Sequence, residues 1–83
     1  MIIISLEGGL IMIVYTRFWN TLKASQESTY SLITRHHISS STIDKLRKNK
    51  PVTTTTINDL CRILHCGTED ILEYIPSEDD QSL

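Results

Sequence analysis

Glycine, cysteine and proline are scarce in this sequence, and positive charge is missing from both of its ends. Three glycines, two of them adjacent at Gly8-Gly9, build no glycine-rich phosphate loop. Two cysteines, Cys61 and Cys66, make no disulfide framework, and on a single helix they would stand more than a turn apart. The start of the chain has neither a basic cluster nor a small-residue cleavage site, so it does not read as a secretion signal. A reduced, cytoplasmic and nucleoid-associated setting is expected. The apolar run 1–14 falls short of the about 20 residues that a bilayer span requires. It is also broken by Glu7-Gly8-Gly9.

Metal and catalytic chemistry find little to work with. Cys61 and His65 share a helical face and Cys66 follows, but a structural zinc site usually takes four ligands. His36-His37 belongs to a different part of the helix order. No metal and no cofactor are expected. The carboxylates near the C-terminus read as exposed, and a Cys61–His65 nucleophile pair would need a cleft that so small a domain hardly offers. No enzymatic activity is expected.

What the sequence does have is an uneven charge distribution. The net charge is −2, yet all eight Lys and Arg lie between Arg17 and Arg62, where only Glu27, Asp44 and Asp59 oppose them, a local balance of +5. Glu69, Asp70, Glu73, Glu78, Asp79 and Asp80 follow that span. Local field, rather than net charge, decides how a surface meets phosphate.

Hydrophobic spacing predicts five helices in one small domain. The first covers about 16–24, with Phe18, Trp19 and Leu22 inward. Ser28 caps a second over about 29–35, with Leu32 and Ile33 inward, and His36-His37 makes the turn. Ile38 plugs the core, Ser39 caps the third helix, and Ile43 and Leu46 grip from one side. That leaves Ser40, Ser41, Asp44, Lys45 and Lys48 on the outer side: hydroxyls, amines and a carboxylate of the kind that meets base edges in a major groove. Arg47, Lys48 and Lys50 crowd the end of this helix, where cations suit both the macrodipole and phosphates. Pro51 ends it. Val52 reads as buried. Thr53 or Thr54 caps a fourth helix over about 55–65, with Ile57, Leu60, Cys61 and Leu64 inward and Gly67 as its stop. Thr68 caps a fifth, with Ile71, Leu72 and Ile75 inward and Pro76 as its end. Residues 77–83 read as a disordered acidic tail.

The N-terminal segment allows two readings. One is a β-hairpin pairing 2–6 with 10–15 through Gly8-Gly9. In the other, which we favour, the natural start is Met12, because Glu-Gly-Gly can be encoded by a purine-rich run resembling a bacterial ribosome-binding site. The domain is accordingly expected over 15–76, preceded by an extension at 1–14.

A short helix, a turn and a polar-faced helix form a helix-turn-helix. Thr29-x-x-Leu-Ile, Ile38-Ser-x-Ser-Thr-Ile-x-x-Leu-Arg and Val52-Thr-x-x-Thr-Ile-x-x-Leu-Cys-x-x-Leu, followed by Gly67-Thr-Glu-Asp-Ile-Leu-Glu-Tyr-Ile-Pro, together resemble the lambda-repressor-like, Xre-type (Cro-like) DNA-binding domain. The resemblance spans about 15–76 and implies an all-α, five-helix domain that binds double-stranded DNA. It implies that Ser40, Ser41, Asp44 and Lys45 read bases. It further implies that Ser28, Thr29, Arg47, Lys48, Asn49, Lys50 and Thr54 meet phosphates, with Arg47 and Lys48 also able to fold back on the domain. Two departures stand out. His37 occupies the turn position where the family often has glycine, and short hydroxyls replace glutamine at Thr29 and Ser40, which shifts recognition toward water bridges. The function expected is that of a small, repressor-like transcriptional regulator, with a homodimer on palindromic sites as one possibility. The rival is an antitoxin-like or anti-repressor interaction module with little DNA binding.

Overall fold

Serine and threonine caps set most of the helix starts in the structure, a computed structural model that describes residues 13–76. Strand β1 (Ile13–Val14) leads into α1 (Thr16–Ala24), α2 (Thr29–Thr34), α3 (Ser40–Arg47) and α4 (Thr54–Leu64), followed by a 3-10 turn at Thr68–Asp70 and strand β2 (Glu73–Tyr74). Ser28 accepts from the Ser31 amide while the Ser31 hydroxyl accepts from the Ser28 amide, so two open donors of α2 are satisfied reciprocally. Ser39 caps α3 through the Thr42 amide, and Thr53, not Thr54, caps α4 through the Thr56 amide.

The core takes one or more residues from every helix. Phe18, Leu32, Ile43, Leu46, Leu60 and Ile71 are fully buried, and Tyr15, Leu22, Ile38, Ile57, Ile63 and Leu64 complete the cluster. Trp19, Val52, Cys61 and Leu72 are half-buried against it. One inward assignment in the motif fails and one core residue is missed: Ile33 is 37% exposed, whereas Ile63, absent from the expected face of α4, is buried in the core. Helix α2 has only six residues, less than two turns, so Ser31 and Leu32 suffice to fix its inner side and Ile33 falls outside it.

The described residues contain four α-helices, not five. The chain makes one 3-10 turn at Thr68–Asp70 and then extends, so that Glu73–Tyr74 pairs antiparallel with Ile13–Val14 in the register Ile13↔Tyr74 and Val14↔Glu73. The reason lies in α1. The Phe18 amide donates to the Ile71 carbonyl at 3.2 Å, the Thr21 hydroxyl to the Asp70 carbonyl at 2.9 Å, and Arg17 to the Glu69 carbonyl at 3.3 Å. Those carbonyls are the ones a continuing helix would need for its own ladder. Pro76 also biases Ile75 away from helical backbone, and Ile75 ends 46% exposed rather than inward. The strand partner of Ile13–Val14 is thus β2; the proposed hairpin partner at 2–6, the expected start at Met12 and the acidic tail at 77–83 lie outside the described residues.

Scarce glycine has a structural counterpart. Helix α4 stops at His65, which takes left-handed backbone at φ 55°, and Gly67 is not the stop: it sits in extended backbone at φ −97°. Asn49 closes α3 at φ 55° ahead of Pro51, and His37 makes the α2–α3 turn at φ 62°. Histidine and asparagine tolerate this region better than branched residues, yet still at a cost. Replacing His65 by Gly should therefore stabilise the protein by roughly 0.5–1 kcal/mol, after the added freedom of glycine in the unfolded chain is deducted. Asn49→Gly should gain less, because the Asn49 side chain accepts from the Tyr15 amide at 3.0 Å. Urea denaturation of the two variants checks this order, and an H65G midpoint below that of the parent would contradict it.

Candidate nucleic-acid interface

The turn between α2 and α3 is held by backbone. The His36 amide donates to the Ser31 carbonyl at 3.3 Å and the Ile38 amide to the Leu32 carbonyl at 2.9 Å, with His37 left-handed between them. Ile38 is buried, and its neighbour Ser39 starts α3. With Ile43 and Leu46 gripping the core, Ser40, Ser41, Asp44 and Lys45, the four positions expected to read bases, are all exposed. Because α3 residues three and four apart share a side, these groups form one polar strip along the helix.

Asp44 does not stand alone on this strip. Its carboxylate lies 3.1 Å from the Lys48 ammonium, an i,i+4 pair with the acid on the N-terminal side. Both partners are more than half exposed, so the pair is worth little to stability. Its effect is on reach: Lys48 must leave Asp44 to meet a phosphate, and Asp44 must leave Lys48 to accept from a cytosine amine.

Arg47 takes the other course. Its guanidinium lies over the Trp19 ring, 5.6 Å from the centroid, and the Trp19 indole N–H donates to the Leu46 carbonyl at 3.4 Å. Trp19 in turn stands edge-on to Phe18 at 4.8 Å. Arg47 is thus folded back against α1, away from the strip formed by Ser41 and Lys45, and ties the end of α3 to the core.

The segment after α3 is anchored from an unexpected place. Tyr15, 3% exposed, donates its hydroxyl to the Lys50 carbonyl at 2.8 Å while its amide donates to Asn49 Oδ1. Burial pushes the Tyr15 phenol up, against the pull of a hydrogen bond from the Val52 backbone, so this anchor keeps its proton at any ordinary pH. Asn49 Oδ1 is engaged, which turns its Nδ2 into the group able to donate to a phosphate. Lys50 is exposed, as is Thr54 at the first turn of α4. Thr53 spends its hydroxyl on the cap, so the open amides at the start of α4 and the Thr54 hydroxyl are what that end offers. No sequence pattern singled out Tyr15, since its role depends on contacts with residues more than thirty positions away.

At the other side of the motif, Ser28 is exposed and Thr29 half-buried at the start of α2. Ser28 uses an oxygen lone pair for its cap, leaving its hydroxyl proton available to an acceptor. Glu27 braces this end. It accepts from the Ser31 hydroxyl at 2.6 Å and from Arg35 at 3.3 Å, and His36 Nε2 lies 3.3 Å away. The Ser31 hydroxyl, then His36 and Arg35, hold the Glu27 carboxyl below its usual range, with partial burial opposing them. The spacing of Glu27, Ser31 and Arg35, four apart each, could have revealed this bracket in the sequence.

A depressed carboxylate contributes stability that is present above the unfolded pKa and is lost as pH falls through the folded one. The stability advantage of the parent over Glu27→Gln should therefore hold near neutral pH and shrink on acidification below about 4.5, the ordinary glutamate value. Denaturation of both proteins across pH 3–7 checks this, and a constant difference would contradict it.

The comparisons with known proteins agree with this geometry. Residues 17–77 match the Cro/C1-type HTH DNA-binding domain. The chain belongs to the Cro/C1-type helix-turn-helix family. Its structure is also similar to the crystal structure of transcriptional regulator VanUg, Form II, with a TM-score of 0.72 and 29% sequence identity over 88% of this chain and 97% of that one. A search of curated proteins finds no match. For this Cro/C1-type chain, α2 and α3 are the two helices of the motif, and α3 is its second. Among the described residues no cluster of three or more His, Cys, Asp and Glu could hold a metal ion, and no helix is long and apolar enough to cross a membrane.

Proposed function

We propose that this protein is a sequence-specific, double-stranded DNA-binding regulator of transcription that reads the major groove with α3. The observation that carries the reading is the strip Ser40, Ser41, Asp44 and Lys45, all four exposed on a helix whose opposite side is locked into the core by Ile43 and Leu46. Lys45 suits guanine O6 and N7, and Asp44 suits cytosine N4. Ser28, Thr29, Lys48, Asn49, Lys50 and Thr54 supply phosphate contacts, which position the domain without carrying sequence information. Arg47, held on Trp19, supports α3 and is left out of the set. Membership of the Cro/C1-type family and the likeness to a transcriptional regulator support the same reading.

A lone module of this size binds weakly, and two-fold pairing on a palindromic site raises affinity through effective concentration. Selection of bound sites from a pool of random duplexes tests the proposal. The expected result is a short enriched motif containing a G·C pair, with two-fold symmetry if the protein pairs. An unenriched pool, together with no salt-dependent shift of any duplex, would overturn the reading in favour of a protein-interaction module.

A further inference from the structure

The left-handed end of α4 does more than stop a helix. Both the His65 and the Cys66 amides donate to the Cys61 carbonyl, the latter at 3.0 Å, with His65 at φ 55°. The Cys66 bond is the six-to-one closure of a Schellman turn, a geometry that frequently brings together the side chains of the two residues it joins. Here those two side chains are both cysteines, Cys61 and Cys66, each a free thiol, half-buried, and partly open to solvent. Counted along a regular helix they would stand more than a turn apart; the reversal at His65 turns the chain back, so that the Cys66 backbone closes on the Cys61 carbonyl. Burial, and then the nearby Cys61, Asp70 and Glu69, push the Cys66 thiol up.

We propose that Cys61 and Cys66 form a redox modification site, a dithiol that closes to an intramolecular disulfide across the end of α4 when it meets a peroxide. The chemistry balances without other reactants. One cysteine thiolate attacks the peroxide O–O bond, giving a sulfenic acid and releasing water or an alcohol. The second thiol then attacks that sulfur, the S–O bond breaks, and water leaves; two thiols lose two electrons and two protons, and the peroxide is reduced. Either cysteine can make the first attack, and the other resolves it. The closed bond would join the last turn of α4 to the segment leading into the 3-10 turn, restraining the end of the domain that packs on α1. It sits at the opposite end of α4 from Thr54, so the proposal stands independently of the DNA-reading function.

Treating the reduced, full-length protein with hydrogen peroxide at low micromolar concentration, blocking remaining thiols and mapping peptides by mass spectrometry tests this. The expected product is monomeric, carries no blocked cysteine, contains a 61–66 cross-link, and has a higher thermal midpoint that reverts on reduction. Cys66→Ser should stop at a sulfenic acid trapped on Cys61, and circular dichroism of that variant confirms that it folds. Cross-links only between chains, thiols that stay blockable, or an oxidised form melting no higher than the reduced one would each overturn the proposal.

Discussion

Phe18→Ala should destabilise the protein by about 3–5 kcal/mol, the range for truncating a fully buried aromatic. Phe18 is completely excluded from solvent, touches the Trp19 ring, and its amide anchors Ile71. Small domains hold about 5–15 kcal/mol in total, and one of this size sits toward the lower end. The variant should thus unfold at much lower urea concentration with an unchanged slope. Losing the ring also removes the edge contact that orients Trp19, and with it the seat of Arg47 at the end of α3. Ile33→Ala makes the control. Ile33 is 37% exposed, so its truncation should cost less than about 0.5 kcal/mol. Equal midpoints for the two variants would contradict the assignment of the core.

The second large effect concerns binding. Lys45→Ala should relax preference at one base pair of the selected site by about 1–3 kcal/mol while leaving affinity for random DNA nearly unchanged. Lys50→Ala should do the reverse, weakening all sequences alike and lowering the salt slope by about one phosphate contact. Lys48 differs from both because of its 3.1 Å pairing with Asp44. Lys48→Ala removes a cation and also leaves the Asp44 carboxylate unneutralised on the strip, so its loss on random DNA should exceed that of Lys50→Ala. Asp44→Asn should bind random DNA more tightly and discriminate less. Titration of selected and random duplexes at several salt concentrations separates these outcomes; uniform losses for Lys45→Ala and Lys50→Ala would contradict the division between reading and positioning.

The local parts of this fold were legible in the sequence. The limits of α1 and the exposed strip of α3 follow from apolar spacing, the caps Ser28 and Ser39 from hydroxyls just ahead of such spacing, and the positive φ at His37 from the family resemblance. What escaped was decided at a distance. The fifth helix reads well by spacing, yet its carbonyls are claimed by Arg17, Phe18 and Thr21, some fifty positions earlier. Ile33 misled because a six-residue helix fixes its inner side with two residues. Within the candidate site, exposure of Ser40, Ser41, Asp44 and Lys45 was predictable, whereas the capture of Arg47 by Trp19 and of Asn49 by Tyr15 depends on tertiary placement. The closure of Cys66 on Cys61 escaped for a related reason: a left-handed histidine turns the chain where glycine was expected to.

The account depends on the strip of α3 meeting the duplex. Amide chemical shifts of the labelled protein, followed while a selected duplex is added, test this most directly. The predicted result is that the largest changes fall at Ser28, Thr29, Ser40 to Lys45, Lys50 and Thr54, with Ile71 to Tyr74 unmoved. Changes concentrated on Tyr74, Ile75 and Tyr30, with α3 unaffected, would contradict it.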